Sequence, residues 1–150
     1  MKKTIILLTF LMAILLFVSN IEASNIKLSK SKSIIIFNIP SLIGKKIVVV
    51  RNILGPPTEK KSGYLEPTKE QLQLGLNEWE NTFKKHNETL IVKFNPITRN
   101  VIDFFIPGNN KQHVLAIGNL KENSKKYQLT IVNSIKNPSE ITGIIITPSN

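Results

Sequence analysis

Short β-branched runs, each cut off by proline, glycine or asparagine, limit what this chain can fold into more than any other feature. Residues 33–39 (SIIIFNI) stop at Pro40, and 46–54 (KIVVVRNIL) stop at Gly55-Pro56-Pro57. Residues 89–94 (TLIVKF) meet Asn95-Pro96, and 101–106 (VIDFFI) meet Pro107-Gly108-Asn109-Asn110. Residues 113–117, 127–132 and 141–147 complete a set of seven, separated by Gly118, Asn123 and Asn137-Pro138 and closed by Pro148. Isoleucine and valine suit a pleated, half-buried surface, and punctuation at this spacing belongs to sandwiches and barrels. The pattern predicts an all-β fold: a small antiparallel β-sandwich of about seven strands.

One stretch, residues 67–87 (PTKEQLQLGLNEWENTFKKHN), reads two ways. As a strand, Leu72, Leu74 and Leu76 share one face. As a helix, Thr68 and Gln71 form a capping box, and Leu72, Leu76, Trp79 and Phe83 make one stripe. Gly75 inside that helix costs about 1 kcal/mol relative to alanine. The helical reading gives the alternative fold, α+β, with one helix over about 68–86 packed on an antiparallel sheet.

The beginning of the chain carries its own instruction. Met1-Lys2-Lys3 is basic, residues 4–18 are almost unbroken apolar sequence, and 19–23 turn polar and end on Ala23. That order is the signature of a secretory signal cut after Ala23. A membrane-spanning helix needs about 20 apolar residues, more than this run supplies. The expectation is a signal peptide over 1–23 and one secreted β-rich domain over 24–150, whose residues 24–33 form a loose basic arm. After cleavage the chain is not an integral membrane protein.

Export with no cysteine means that apolar packing and backbone hydrogen bonds alone must hold the domain. It also excludes thiol chemistry and cysteine metal sites. The chain carries a net charge of +10, and +9 once Lys2, Lys3 and Glu22 are removed. Such a surplus outside the cell points to an acidic partner, such as an anionic polysaccharide, a membrane surface or an acidic receptor face, and the compartment argues against nucleic acid. Its lysines come as scattered pairs, Lys45-Lys46, Lys60-Lys61, Lys84-Lys85 and Lys125-Lys126, the pattern of a solvated surface more than of one dedicated anion site.

Groups that carry chemistry are few. Asp103 is the only aspartate and belongs on the solvent side of a strand. His86 and His113 have no metal-type partner at short spacing, and no nucleophile elbow, phosphate loop or dinucleotide fingerprint is present. Glu78 and Glu80 flank Trp79 without cleft residues around them. Trp79, the only tryptophan, reads either as a core residue or as a sugar-stacking or receptor-anchoring aromatic. Asn87-Glu88-Thr89 is an N-x-T sequon, which makes Asn87 a candidate glycan acceptor. No catalytic, cofactor or metal residue is predicted. The ligand or anion contacts expected are Trp79, Lys84, Lys85, Lys125 and Lys126.

Val48-Val49-Val50-Arg51-Asn52-Ile53-Leu54, then Leu72-Gln73-Leu74-Gly75 with Trp79 and Phe83, then Asn87-Glu88-Thr89-Leu90-Ile91-Val92 and the 101–105 run, follow each other in a familiar order. Over about residues 45–105 the chain resembles the plant S-protein homologue family, which includes self-incompatibility proteins. That family's cysteines and acidic segment are absent here. The resemblance implies an antiparallel β-sandwich, strands within 67–87, and a secreted ligand acting through a cell-surface partner, with no catalytic residue to transfer. Together these readings predict a secreted, non-enzymatic extracellular ligand or binding protein. The alternatives are a basic polysaccharide or cell-wall binding module and, third, a hydrolase or inhibitor whose site is not recognisable.

Overall fold

A computed structural model describes residues 34–149. The expected signal segment 1–23 and the basic arm 24–33 lie outside the described residues. The chain opens with an extended stretch and a short 3-10 turn, Ile39–Ser41, and then forms α1 (Ile47–Leu54), α2 (Glu59–Ser62) and α3 (Lys69–Gln73). Strands β1 (Trp79–Lys85), β2 (Glu88–Phe94) and β3 (Val101–Pro107) follow, then α4 (Lys111–Ile117), β4 (Tyr127–Asn133) and β5 (Ile141–Pro148). All neighbouring strands are antiparallel in the order β1-β2-β3-β5-β4. A sheet-rich antiparallel fold is therefore present, with five strands in one sheet among the described residues rather than seven in a sandwich.

The three runs that are not strands have local reasons. In 46–54, Ile47 and Val50 are buried and Leu54 half-buried, the i, i+3, i+7 spacing of a helix face, while Val48 and Val49 are exposed. Gly55, at φ 90°, caps this helix with its N–H on the Arg51 carbonyl oxygen at 2.8 Å. The Gly-Pro-Pro that looked like the end of a strand is a helix stop, and the Val48–Leu54 segment that the resemblance placed in a strand is helical. Residues 113–117 lie in α4, where the Asn110 side chain accepts the His113 N–H at 3.0 Å as an N-cap. The described part of the 33–39 run, residues 34–38, reaches the core without pairing as a strand, and Ile39 begins the 3-10 turn. The N–H groups of Ile36 and Phe37 both donate to the Ile117 carbonyl oxygen, at 2.9 and 2.8 Å, which satisfies the open end of α4.

The ambiguous stretch 67–87 divides. Thr68 and Gln71 make the reciprocal capping box and start α3, which ends at Gln73, and β1 begins at Trp79. Neither one long helix nor a strand of alternating leucines forms. Gly75, at φ 86°, turns the chain between the two elements.

The core is a single layer between the sheet and the segments that cross it. Phe83, Leu90, Val92, Phe94, Phe104, Ile106, Ile144 and Ile146 from the strands are buried with Ile47 and Val50 of α1 and Val114, Leu115 and Ile117 of α4. Phe37, Ile39 and Leu42 fill the layer from the opening stretch. Helices and extended chain thus stand where a second sheet was expected. Each such side chain contributes about 1.5–3 kcal/mol when fully buried, so this layer is the main stabilising term in a chain without disulfides. On the opposite face Thr82, Ile91, Phe105, Ile145 and Thr130 stay partly or fully exposed. Among the described residues no helix is long and apolar enough to cross a membrane.

Candidate functional site

The densest group of interacting polar side chains was not anticipated. α1 carries Arg51 inward beside the buried Asn81 of β1, and Asn81 Oδ1 accepts from Arg51 Nε and Nη2 at 2.8 and 2.6 Å. The turn after β2 holds Arg99 at φ 67°, with Asn95 Oδ1 accepting the N–H groups of Ile97 and Thr98. Both guanidinium groups lie over the Phe94 ring, 5.3 and 5.6 Å from its centroid. Glu66, on the loop between α2 and α3, bridges them: Oε1 to Arg51 Nη1, and both oxygens to Arg99 at 2.5 and 2.7 Å. The same loop offers the Leu65 carbonyl oxygen to Arg51 and Asn81, at 3.1 and 3.2 Å.

Burial works to raise the Glu66 pKa. Hydrogen bonds from Arg99 and then Arg51, together with their charges, outweigh it and hold the carboxyl below its ordinary value. Each partner in the cluster is an ion-pair or hydrogen-bond partner of another. It holds no nucleophile, and its physical effect is to clasp one loop, one helix and two strand ends together. The signal in the sequence was the residue type: these are the only two arginines in a chain with eighteen lysines. Planar, forked recognition of a carboxylate is what arginine does and lysine does not.

Two smaller groups lie elsewhere. On the exposed sheet face Lys93 Nζ stands 3.4 Å from Glu78 and 3.7 Å from Asp103. Asp103 is on that face as expected, yet it is mostly buried there. Burial pushes its pKa up, against the Lys93 charge that lowers it, and Glu78 adds to the rise. Asp103 in turn is the main cause that raises the Lys93 pKa. His113 Nε2 meets Glu88 Oε1 at 2.8 Å on the surface. No group of three or more metal-ligating side chains occurs among the described residues.

The residues expected to contact a ligand do not meet. Trp79 is half-buried against the core, and its Nε1 donates to the Tyr64 carbonyl oxygen at 3.1 Å. Lys84 is exposed and Lys85 half-buried at the far end of β1, beside the hairpin turn of His86 and Asn87. Asn87 is exposed in that turn at φ 64°. Lys125 and Lys126 are exposed just before β4. Tyr127 pairs with Pro148 whereas Lys85 pairs with Glu88, so the two lysine pairs occupy opposite edges and opposite ends of the sheet.

No protein-family model, curated protein or solved structure matches the chain.

Proposed function

We propose that this is a secreted, non-enzymatic binding protein that acts on an extracellular protein partner. The observation that carries the reading is how the chemistry-bearing groups are used. Among the described residues Glu66 and Asp103 stand in ion pairs and His113 is hydrogen-bonded to Glu88, and none of the three is hydrogen-bonded to a serine or threonine side chain as a base is to its nucleophile. What remains facing solvent is shape, backbone and dispersed positive charge. The signal sequence over 1–23 supports release outside the cell, and Asn87 at its exposed turn is an accessible acceptor if the pathway glycosylates. The resemblance to plant self-incompatibility proteins supports the same class, a ligand read by a cell-surface partner.

Expression of the full chain in a secreting host tests the first half. A secreted product that begins at Ser24 is expected, and retention of the whole chain in the membrane fraction would overturn the reading. Salt tests the second half. Capture by a cell-surface protein that persists at high ionic strength is expected. Binding that occurs only on heparin or pectin and vanishes with salt would transfer the protein to the class of basic polysaccharide modules.

A further inference from the structure

The two edges of the sheet are treated differently. On β1, the Thr82 N–H donates to Glu59 Oε2 at 2.8 Å and the Thr82 carbonyl oxygen accepts the Thr58 N–H at 2.9 Å. The Glu80 carbonyl oxygen accepts from Asn81 Nδ2 at 2.9 Å, and Glu80, Lys84 and Lys85 add charge along the strand. These are the devices by which proteins close an edge to further pairing. Over Tyr127–Val132 β4 has none of them, and its one irregularity lies at its end, between Val132 and Asn133. Its sequence, YQLTIVN, contains no charge and no proline, and Ile131 is exposed.

Hydrogen bonds show which way the β4 backbone faces. The Lys126 carbonyl oxygen accepts the Ser149 N–H, and the Val132 carbonyl oxygen accepts Thr142 Oγ1, so even-numbered residues turn their backbone groups towards β5. Leu129 and Ile131 therefore turn theirs away from it. Among the described residues no segment hydrogen-bonds to them. Lys125 and Lys126 lie before this open stretch and Lys136 after it, all exposed, and the acidic residue closest to it in the chain, Glu122, is paired with Lys111 at 2.7 Å.

We infer that β4 is a docking edge that takes up an extended segment of a partner protein, apolar at its centre and acidic at its ends, as an added strand. This names the partner chemistry of the binding protein proposed above and rests on that reading. Open N–H and C=O groups at strand spacing are satisfied by another strand, and side-chain pockets or charges beside them set which one. Ile131 offers the apolar neighbour, and the flanking lysines select acid. A second copy of this chain fits less well. Antiparallel pairing centred on Thr130 brings Lys125 and Lys126 of each copy against the Lys136 end of the other, and like charges in register oppose association.

The test uses the secreted chain and a synthetic peptide of alternating threonine and valine with two aspartates at each end. Amide-resolved NMR titration is expected to show binding with the largest shifts at Leu129 and Ile131. The same peptide N-methylated along one backbone edge keeps its charge and side chains but loses its donors, and should bind at least about tenfold more weakly. Ile131→Pro, which removes an outward N–H, should weaken the unmethylated peptide likewise, and so should Lys125→Glu with Lys126→Glu by reversing the charge that meets its aspartates. Equal binding of the methylated and unmethylated peptides would overturn strand addition, as would shifts confined to Lys84 and Lys85. A concentration-dependent dimer dissolved by Ile131→Pro would overturn the choice of a foreign segment. Failure of the peptide with secretion and surface capture intact would remove the edge assignment and leave the preceding reading standing.

Discussion

Arg51 and Arg99 converge on Glu66 above Phe94, and at the residue scale this explains why two arginines stand in a lysine-rich chain. Arg51→Lys keeps the charge but loses the fork that reaches Asn81, Leu65 and Glu66 together. It should cost about 1–3 kcal/mol in urea unfolding, the value of charge-assisted hydrogen bonds at a half-buried site. The two perturbed carboxyls make opposite contributions with pH. The Glu66 pKa is lowered on folding, so its stabilisation is complete above the ordinary value of 4.5 and is lost as pH falls through the lower folded value. Glu66→Gln should flatten the acid side of the stability profile. The Asp103 pKa is raised on folding, so its contribution is present below the ordinary 3.8 and lost as pH rises through the folded value. Asp103→Asn should therefore hold or increase the melting temperature at neutral pH, and a clear loss there would show that the Lys93 pair outweighs desolvation.

At the scale of elements, α1 is where sequence and structure part most clearly. A strand would put Val48 and Val50 on one face, whereas the helix buries Val50 and exposes Val48 and Val49. Val50→Ala should cost about 1–3 kcal/mol by leaving a cavity, while Val48→Lys should stay within about 0.5 kcal/mol of the parent. Equal losses at both positions in thermal unfolding would restore the strand. Four of the five strands, β2 to β5, were legible as short β-branched runs with a turn residue at the end, whereas β1 lay inside the stretch that reads equally as helix or strand. The runs in 46–54 and 113–117 were misread because valine and isoleucine favour a strand only where packing against adjacent strands rewards them. Gly55 and Asn110, a C-terminal and an N-terminal helix signal, were visible and outweighed by composition. Packing between elements is tightest, among the glycines, at Gly143. A β-carbon on Gly143 of β5 would meet the Phe105 ring of β3 and come within 2.7 Å of the Ile106 carbonyl oxygen. Gly143→Ala should lower stability by about 1–3 kcal/mol through overpacking, read as an earlier urea midpoint at unchanged slope.

Across the whole molecule the question is whether the positive charge acts as one site or as a field. Composition made the surplus obvious, but only the strand register tells where it falls, because chain order says nothing about which edge of a sheet a residue reaches. β5 inserts between β3 and β4, and this sends Lys125 and Lys126 to the corner diagonally opposite Lys84 and Lys85. Two groups that share no partner and stand well apart act independently. For a long polyanion such as heparin, removing either pair should therefore weaken binding by its own factor, and removing both should give the product of the two factors to within about twofold. A short acidic segment at β4 behaves otherwise: neutralising Lys125 and Lys126 should weaken it, and neutralising Lys84 and Lys85 should leave it unchanged. Affinities of the four variants for both ligands at one ionic strength separate the cases. A strong coupling between the two corners on a short ligand would mean that the sheet is not arranged as its register requires, and the assignment of β4 as the binding edge would go with it.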